Sequence, residues 1–186
     1  IFPTASTPRI YVEMVDTTDG EVFPGWVVHE KQYVYGLEAY YNKHLLPVGA
    51  YIEVEHGERP DQIRLTYSAY RPRTEWIRLA HASDGHLSFE NNRRSIGADY
   101  DDLMIVGVDD LKAVDTLAAE TLRQQRSLVS ILRALIQELG KLTPQGTVHA
   151  KTLYSALNVL RRCPPGPIFA TLIANPEFED VGDNYW

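Results

Sequence analysis

Cysteine is nearly absent: Cys163 is the only one in 186 residues. No disulfide can form within one chain, so cross-links cannot substitute for a packed core. Long apolar runs are missing too. No stretch approaches the ~18 consecutive apolar residues of a membrane-spanning helix, and no signal-peptide pattern opens the sequence. A cytoplasmic protein with no membrane partner is expected. Metal-ligand spacing is also wanting. His29, His44, His56, His81, His86 and His149 show no His-x-x-x-His pattern, and there is no cysteine pair. Glu53, Glu55 and His56 come closest, but on a strand the two glutamates share one face and the histidine takes the other. There is no Gly-x-Ser-x-Gly and no glycine loop able to cradle phosphate. Asp99, Asp101 and Asp102 lack the Glu-x-Lys that a metal-dependent nuclease sets beside its acids. Asp109 and Asp110 are suited to capping a helix. No catalytic residue, metal site or cofactor is assigned, and an enzyme is set aside.

What is present describes a folded protein. Apolar residues make up 44% of the chain, enough for a real core, and eleven tyrosines favour a β-rich portion. The net charge of −7 is unevenly spread. Between positions 64 and 94 six arginines (Arg64, Arg71, Arg73, Arg78, Arg93, Arg94) face only Glu75, Asp84 and Glu90. Between 141 and 176 stand Lys141, Lys151, Arg161 and Arg162 with no acid at all.

Alternation predicts strands at 10–15, 22–28, 50–55, 63–69, 75–82 and 86–90, with Asp19-Gly20 and Asp84-Gly85 as turns. Tyr70 to Thr74 reads as a loop, so that 63–69 and 75–82 form a hairpin placing Arg64 and Arg78 on one face. The spacing of Leu37, Tyr40, Tyr41 and His44 predicts a short helix over 36–45. The run 103–108 reads as a buried strand. Residues 1–108 thus form a β-rich, barrel-like domain with one short helix. From Asp110 to Gly140 apolar residues recur at helical spacing. That length fits one helix joining two domains, two helices bent near Gln124 and Gln125, or a seam between two chains over 111–139. Residues 109–127 are taken as a helical linker.

The last third has a definite order: helix, short extended piece (TVHA), helix, helix, hairpin. Phe178, Val181 and one of Tyr185 or Trp186 are expected to cover Ile168, Phe169 and Leu172. The stretch TVHAKTLYSALN…PIFATLIANPEFEDVGDNYW, with its Asn-Pro-x-Phe, short turn and Tyr-Trp, resembles the HARE-type winged helix-turn-helix domain over residues 128–186. The resemblance implies a DNA-binding or transcription-associated module. The whole is then an α+β protein: a β-rich domain, a long connecting helix and a C-terminal winged helix.

The third helix of that module offers Thr171 and Asn175 and no cation, and its wing carries Glu177, Glu179, Asp180 and Asp183. Acids there repel phosphates, which supply most DNA affinity. Contact is therefore expected through Arg64, Arg71, Arg73, Arg78, Arg93, Arg94, Lys141, Lys151, Arg161 and Arg162. Arginines interleaved with tyrosine and tryptophan suit phosphates and stacked bases. The expected function is a non-catalytic, transcription-associated regulator that binds DNA mainly by its backbone, in a salt-sensitive way. The alternatives are a protein-interaction module docking through the winged helix, or a non-catalytic subunit of a nucleic-acid-processing assembly.

Overall fold

The computed structural model describes residues 7–29, 33–47, 49–105 and 107–186 of the chain. Its contacts divide the chain into two units: residues 1–74 with 95–100, and residues 75–94 with 101–186. Both units mix strand and helix, so the protein is α+β.

In the first unit, β1 (Arg9–Asp16) pairs antiparallel with β2 (Val22–Val28), and β2 with β3 (Tyr33–Tyr35). On its other side β1 runs parallel to β5 (Gln62–Tyr67), which pairs antiparallel with β4 (Ile52–His56). The sheet order is β3-β2-β1-β5-β4. The period of two turns Val12 and Met14 of β1 and Ile63 and Leu65 of β5 inward, where they meet Val27 and Tyr40. Tyr40 belongs to α1 (Glu38–Lys43), a helix shorter than the 36–45 expected. Gly36, just before it, has φ +106°, and a Cβ there would lie 2.5 Å from the Pro24 carbonyl oxygen, so only glycine fits.

Two long strands follow, β6 (Ala69–Ser83) and β7 (His86–Ala98), joined by the Asp84-Gly85 turn. Residues 70–74, expected as a loop, belong to β6. Instead of a hairpin with β5, β6 lies in a second sheet of order β7-β6-β8, where β8 (Gly107–Val108) runs parallel to it. Arg64 and Arg78 therefore do not share a hairpin face. Of the run expected as a strand over 103–108, β8 takes only the end, and Val106 lies outside the described residues.

The helices all lie in the second unit apart from α1. The long apolar period is two helices, α2 (Leu111–Arg123) and α3 (Leu128–Gly140). Asp110 caps α2 by accepting from the backbone N–H groups of Lys112 and Ala113. Between them Gln125 turns left-handed at φ +51°, and the Ser127 hydroxyl accepts from Ser130 N to start α3. Then come α4 (Ala150–Leu160) and α5 (Pro165–Ala174). Proline at the first position of α5 is Pro165, where its missing N–H costs nothing. Ile131, Leu132, Leu135 and Leu139 of α3, Leu153 and Leu157 of α4, and Ile168 and Leu172 of α5 form one core with Ala80, Leu87 and Phe89. Within the span read as a possible seam, Val114, Leu117, Leu132, Leu135 and Leu139 are buried in this core, whereas Leu111 and Leu122 are exposed.

The C-terminal segment closes this core. Val148 exchanges two backbone hydrogen bonds with Trp186 (2.9 and 3.1 Å), and Ala150 N donates to Asn184 O. Phe178 and Trp186 pack against the core, whereas Val181 stays exposed and Tyr185 meets the His149 ring edge-on at 5.0 Å.

Candidate functional site

The ten basic residues fall into distinct settings. In the first unit Arg64 is exposed on β5 and stands opposite Glu55 of β4. Arg71 and Arg73 are exposed on β6, and the Arg73 guanidinium lies 4.7 Å from the Tyr70 ring centre. In the second unit Lys141 pairs with Glu138 (2.7 Å) and Lys151 with Asp101 (2.6 Å). The Lys151 hydrogen bond holds the Asp101 carboxyl below its ordinary range. Arg161 and Arg162 are exposed at the end of α4.

The remaining three lie on the β6–β7 ribbon. Trp76 and Arg78 share one face of β6, and Asn91 and Arg93 share one face of β7, because side chains alternate along a strand. The Arg93 guanidinium sits 5.7 Å from the Trp76 ring centre. Arg94 takes the opposite face of β7. Arg78 donates through Nη1 to the Asp102 carbonyl oxygen, which anchors it from the neighbouring loop. Trp76, Ile77, Arg78, Asn91 and Asp102 line a pocket of about 390 Å³. That is within the range of small-ligand sites. Trp76 is 68% exposed, an unusual state for so large an apolar ring. Sequence pattern marked the arginines with their interleaved aromatics but not that this ring is uncovered, since nothing in period two distinguishes an uncovered tryptophan from a buried one.

A second cluster escaped the sequence reading altogether. Val12, Met14 and Asp16 lie on one face of β1, so strand alternation sends a carboxylate into the first unit's core, and Asp16 is fully buried. Lys43 Nζ lies 2.8 Å and His44 Nε2 2.6 Å from its Oδ2, and Thr18 N donates to Oδ1 at 2.9 Å. Burial pushes the Asp16 pKa up, but the hydrogen bonds from Lys43, His44 and Thr18 outweigh it and hold the carboxyl far below its ordinary range. The His44 ring clusters with Tyr40 and Tyr67, whose centres are 4.9 and 4.5 Å from it and 6.2 Å from each other. Asp16, Asp19 and Glu21 bring carboxylate oxygens within 4.8 Å of one another, as a metal site would. Lys43, however, reaches all three, with its ammonium at 2.8, 2.5 and 2.7 Å. The Lys43 ammonium stands where a metal cation would bind, so the cluster is a structural joint. The alternation of Val12, Met14 and Asp16 was the signal that could have revealed it.

Also in the second unit, Val129, Ala170, Thr171, Ala174, Asn175 and Pro176 line an open groove of about 430 Å³ between α3 and α5. It has no charged lining residue. Ile173 beside it is 74% exposed. Among the described residues no helix is long and apolar enough to cross a membrane.

No family model, curated protein or solved structure matches the chain.

Proposed function

We propose that this is a non-catalytic DNA-binding protein, transcription-associated, that holds DNA mainly by its phosphate backbone through arginines. The observation that carries the reading is the exposed Trp76 with Arg78 on its own strand face and Arg93 over its ring. Guanidinium groups bind phosphate in a fixed fork, and an uncovered aromatic ring beside them suits nucleic acid better than solvent. The succession α3, extended Val148, α4, α5 and the 181–185 hairpin supports reading residues 128–186 as a winged helix. In this reading α5 is not the contact element. Its exposed face carries no cation, and the lysines nearby, Lys141 and Lys151, are engaged by Glu138 and Asp101. The ribbon arginines carry the contact, with Arg161 and Arg162 adding to it.

The test is fluorescence anisotropy with labelled DNA at 50 and 200 mM salt. Three or four phosphate contacts make affinity fall about 40- to 150-fold between the two. Arg93→Gln should weaken binding at the lower salt. No binding to duplex or single-stranded DNA at 50 mM overturns the proposal.

A protein-docking reading draws on the apolar groove between α3 and α5, the exposed Ile173 and the acidic residues Glu179 and Asp180. The double change Glu179→Lys, Asp180→Lys separates the two. DNA affinity rises under the first reading, and binding to a basic partner collapses under the second.

A further inference from the structure

We infer that the Trp76 pocket is a stacking site for one unpaired base, so that the protein prefers single-stranded nucleic acid to duplex. The inference rests on the DNA-binding reading and specifies the form of the polymer. Arg93 occupies one side of the indole ring at 5.7 Å. Trp76 as a residue is 68% exposed, and we take the ring face away from Arg93 as the one a ligand would reach. Cation–π contact with Arg93 favours this placement of the ring, which offers a flat platform for a base. A base within a duplex is already stacked on its neighbours and cannot use that platform. A base in a single strand can.

The pocket chemistry favours a base over a phosphate. Asp102 lines it, and the residue's negative charge beside the pocket disfavours a phosphate there. Asn91, also on the lining, offers an amide donor and acceptor of the kind that reads base edges. Arg78 is anchored to the Asp102 carbonyl through one of its donors and keeps others available. Arg93, exposed midway along β7, supplies the positive charge that the adjoining phosphates need. The charge arrangement therefore matches a splayed nucleotide, with base inside and backbone outside.

The experiment compares four labelled probes at 50 mM salt: oligo-dT and oligo-rU of twelve nucleotides, an abasic strand of that length, and a twelve-base-pair duplex. Each is titrated against the full chain and its Trp76→Ala and Trp76→Phe variants. Because Trp76 is exposed, neither variant removes a core residue, and circular dichroism melts check that both fold. Expected are at least tenfold tighter binding of oligo-dT or oligo-rU than of the duplex or abasic strand, and a tenfold or greater loss in Trp76→Ala. Trp76→Phe should stay within about threefold of the parent. Quenching of intrinsic fluorescence on binding should vanish in both variants, although Trp26 and Trp186 remain. Equal affinity for the abasic strand, or an unchanged Trp76→Ala, overturns the inference while the DNA-binding reading stands. No binding to any probe overturns both.

Discussion

Asp16 is the side chain on which the first unit's chemistry turns. Its partners, Lys43, His44 and Thr18, come from α1 and from the turn after β1. Asp16→Asn keeps the shape but removes the charge, and hydrogen bonds to a charged group contribute roughly 1.5–3 kcal/mol. Urea denaturation at pH 7 should show a loss in that range. The folded-state pKa lies below the unfolded value of about 3.9. The carboxylate's contribution is therefore complete above about pH 4 and fades as the pH falls toward the folded value. The gap between the parent and Asp16→Asn should narrow on acidification below pH 4. A gap that stays constant down to pH 2 means the charge contributes nothing. Reading β1 one residue further, to Asp16 on the Val12 and Met14 face, makes this residue legible in the sequence. Its partners were not, because α1 lies more than twenty positions away and nothing local ties Lys43 to β1. The exposure of Trp76 was hidden for a different reason: it depends on which element covers a strand face, and pattern does not report that.

Helix boundaries were legible where a cap chose them. Asp109 and Asp110 were both read as able to cap the helix, and Asp110 is the one that does. The break after α2 was one of three options, because the apolar period runs on through Gln124 and Gln125, and only the Ser127 cap and the left-handed Gln125 divide it. The β6 strand was cut short in the sequence reading because Pro72 and the charged Arg71-Pro-Arg73 stretch look like a loop. Proline is nonetheless tolerated in a strand where its missing N–H leaves no ladder bond unmade. The start of α4 has a further property. His149 Nδ1 accepts from Lys151 N at 3.0 Å, so the cap works only while the ring nitrogen is unprotonated. Burial, aided by the nearby Lys151, lowers the His149 pKa, with Asp101 opposing. The unfolded chain then takes up the proton first. Stability of the second unit is complete above the unfolded pKa of about 6.5 and declines as the pH falls through it. His149→Asn keeps a good cap that cannot titrate. Thermal melts at pH 5 and 7.5 should show a smaller pH-dependent drop in the variant than in the parent. Equal drops dismiss His149 as the source.

The molecule as a whole is divided in a way that no sequence pattern signals. The sequence reading sets an end to the β-rich part at residue 108 because helical periodicity begins there. The contacts instead place residues 75–94 with the helices, since Ala80, Leu87 and Phe89 belong to their core. Long-range packing of this kind depends on which hydrophobic face meets which, and one-dimensional periodicity does not carry it. Residues 101–186 alone lack those three core side chains and are expected to show no cooperative thermal transition. Adding residues 1–100 as a separate chain should restore one. A sharp, independent melt of 101–186 contradicts that dependence. The uneven charge was legible, but its meaning was not, because ion pairing takes Lys141 and Lys151 out of the positive set only in three dimensions. The backbone passes between the two units three times, at 74/75, 94/95 and 100/101. Any single break in the chain therefore leaves residues of one unit attached to the other, so no lone cut separates the two cleanly.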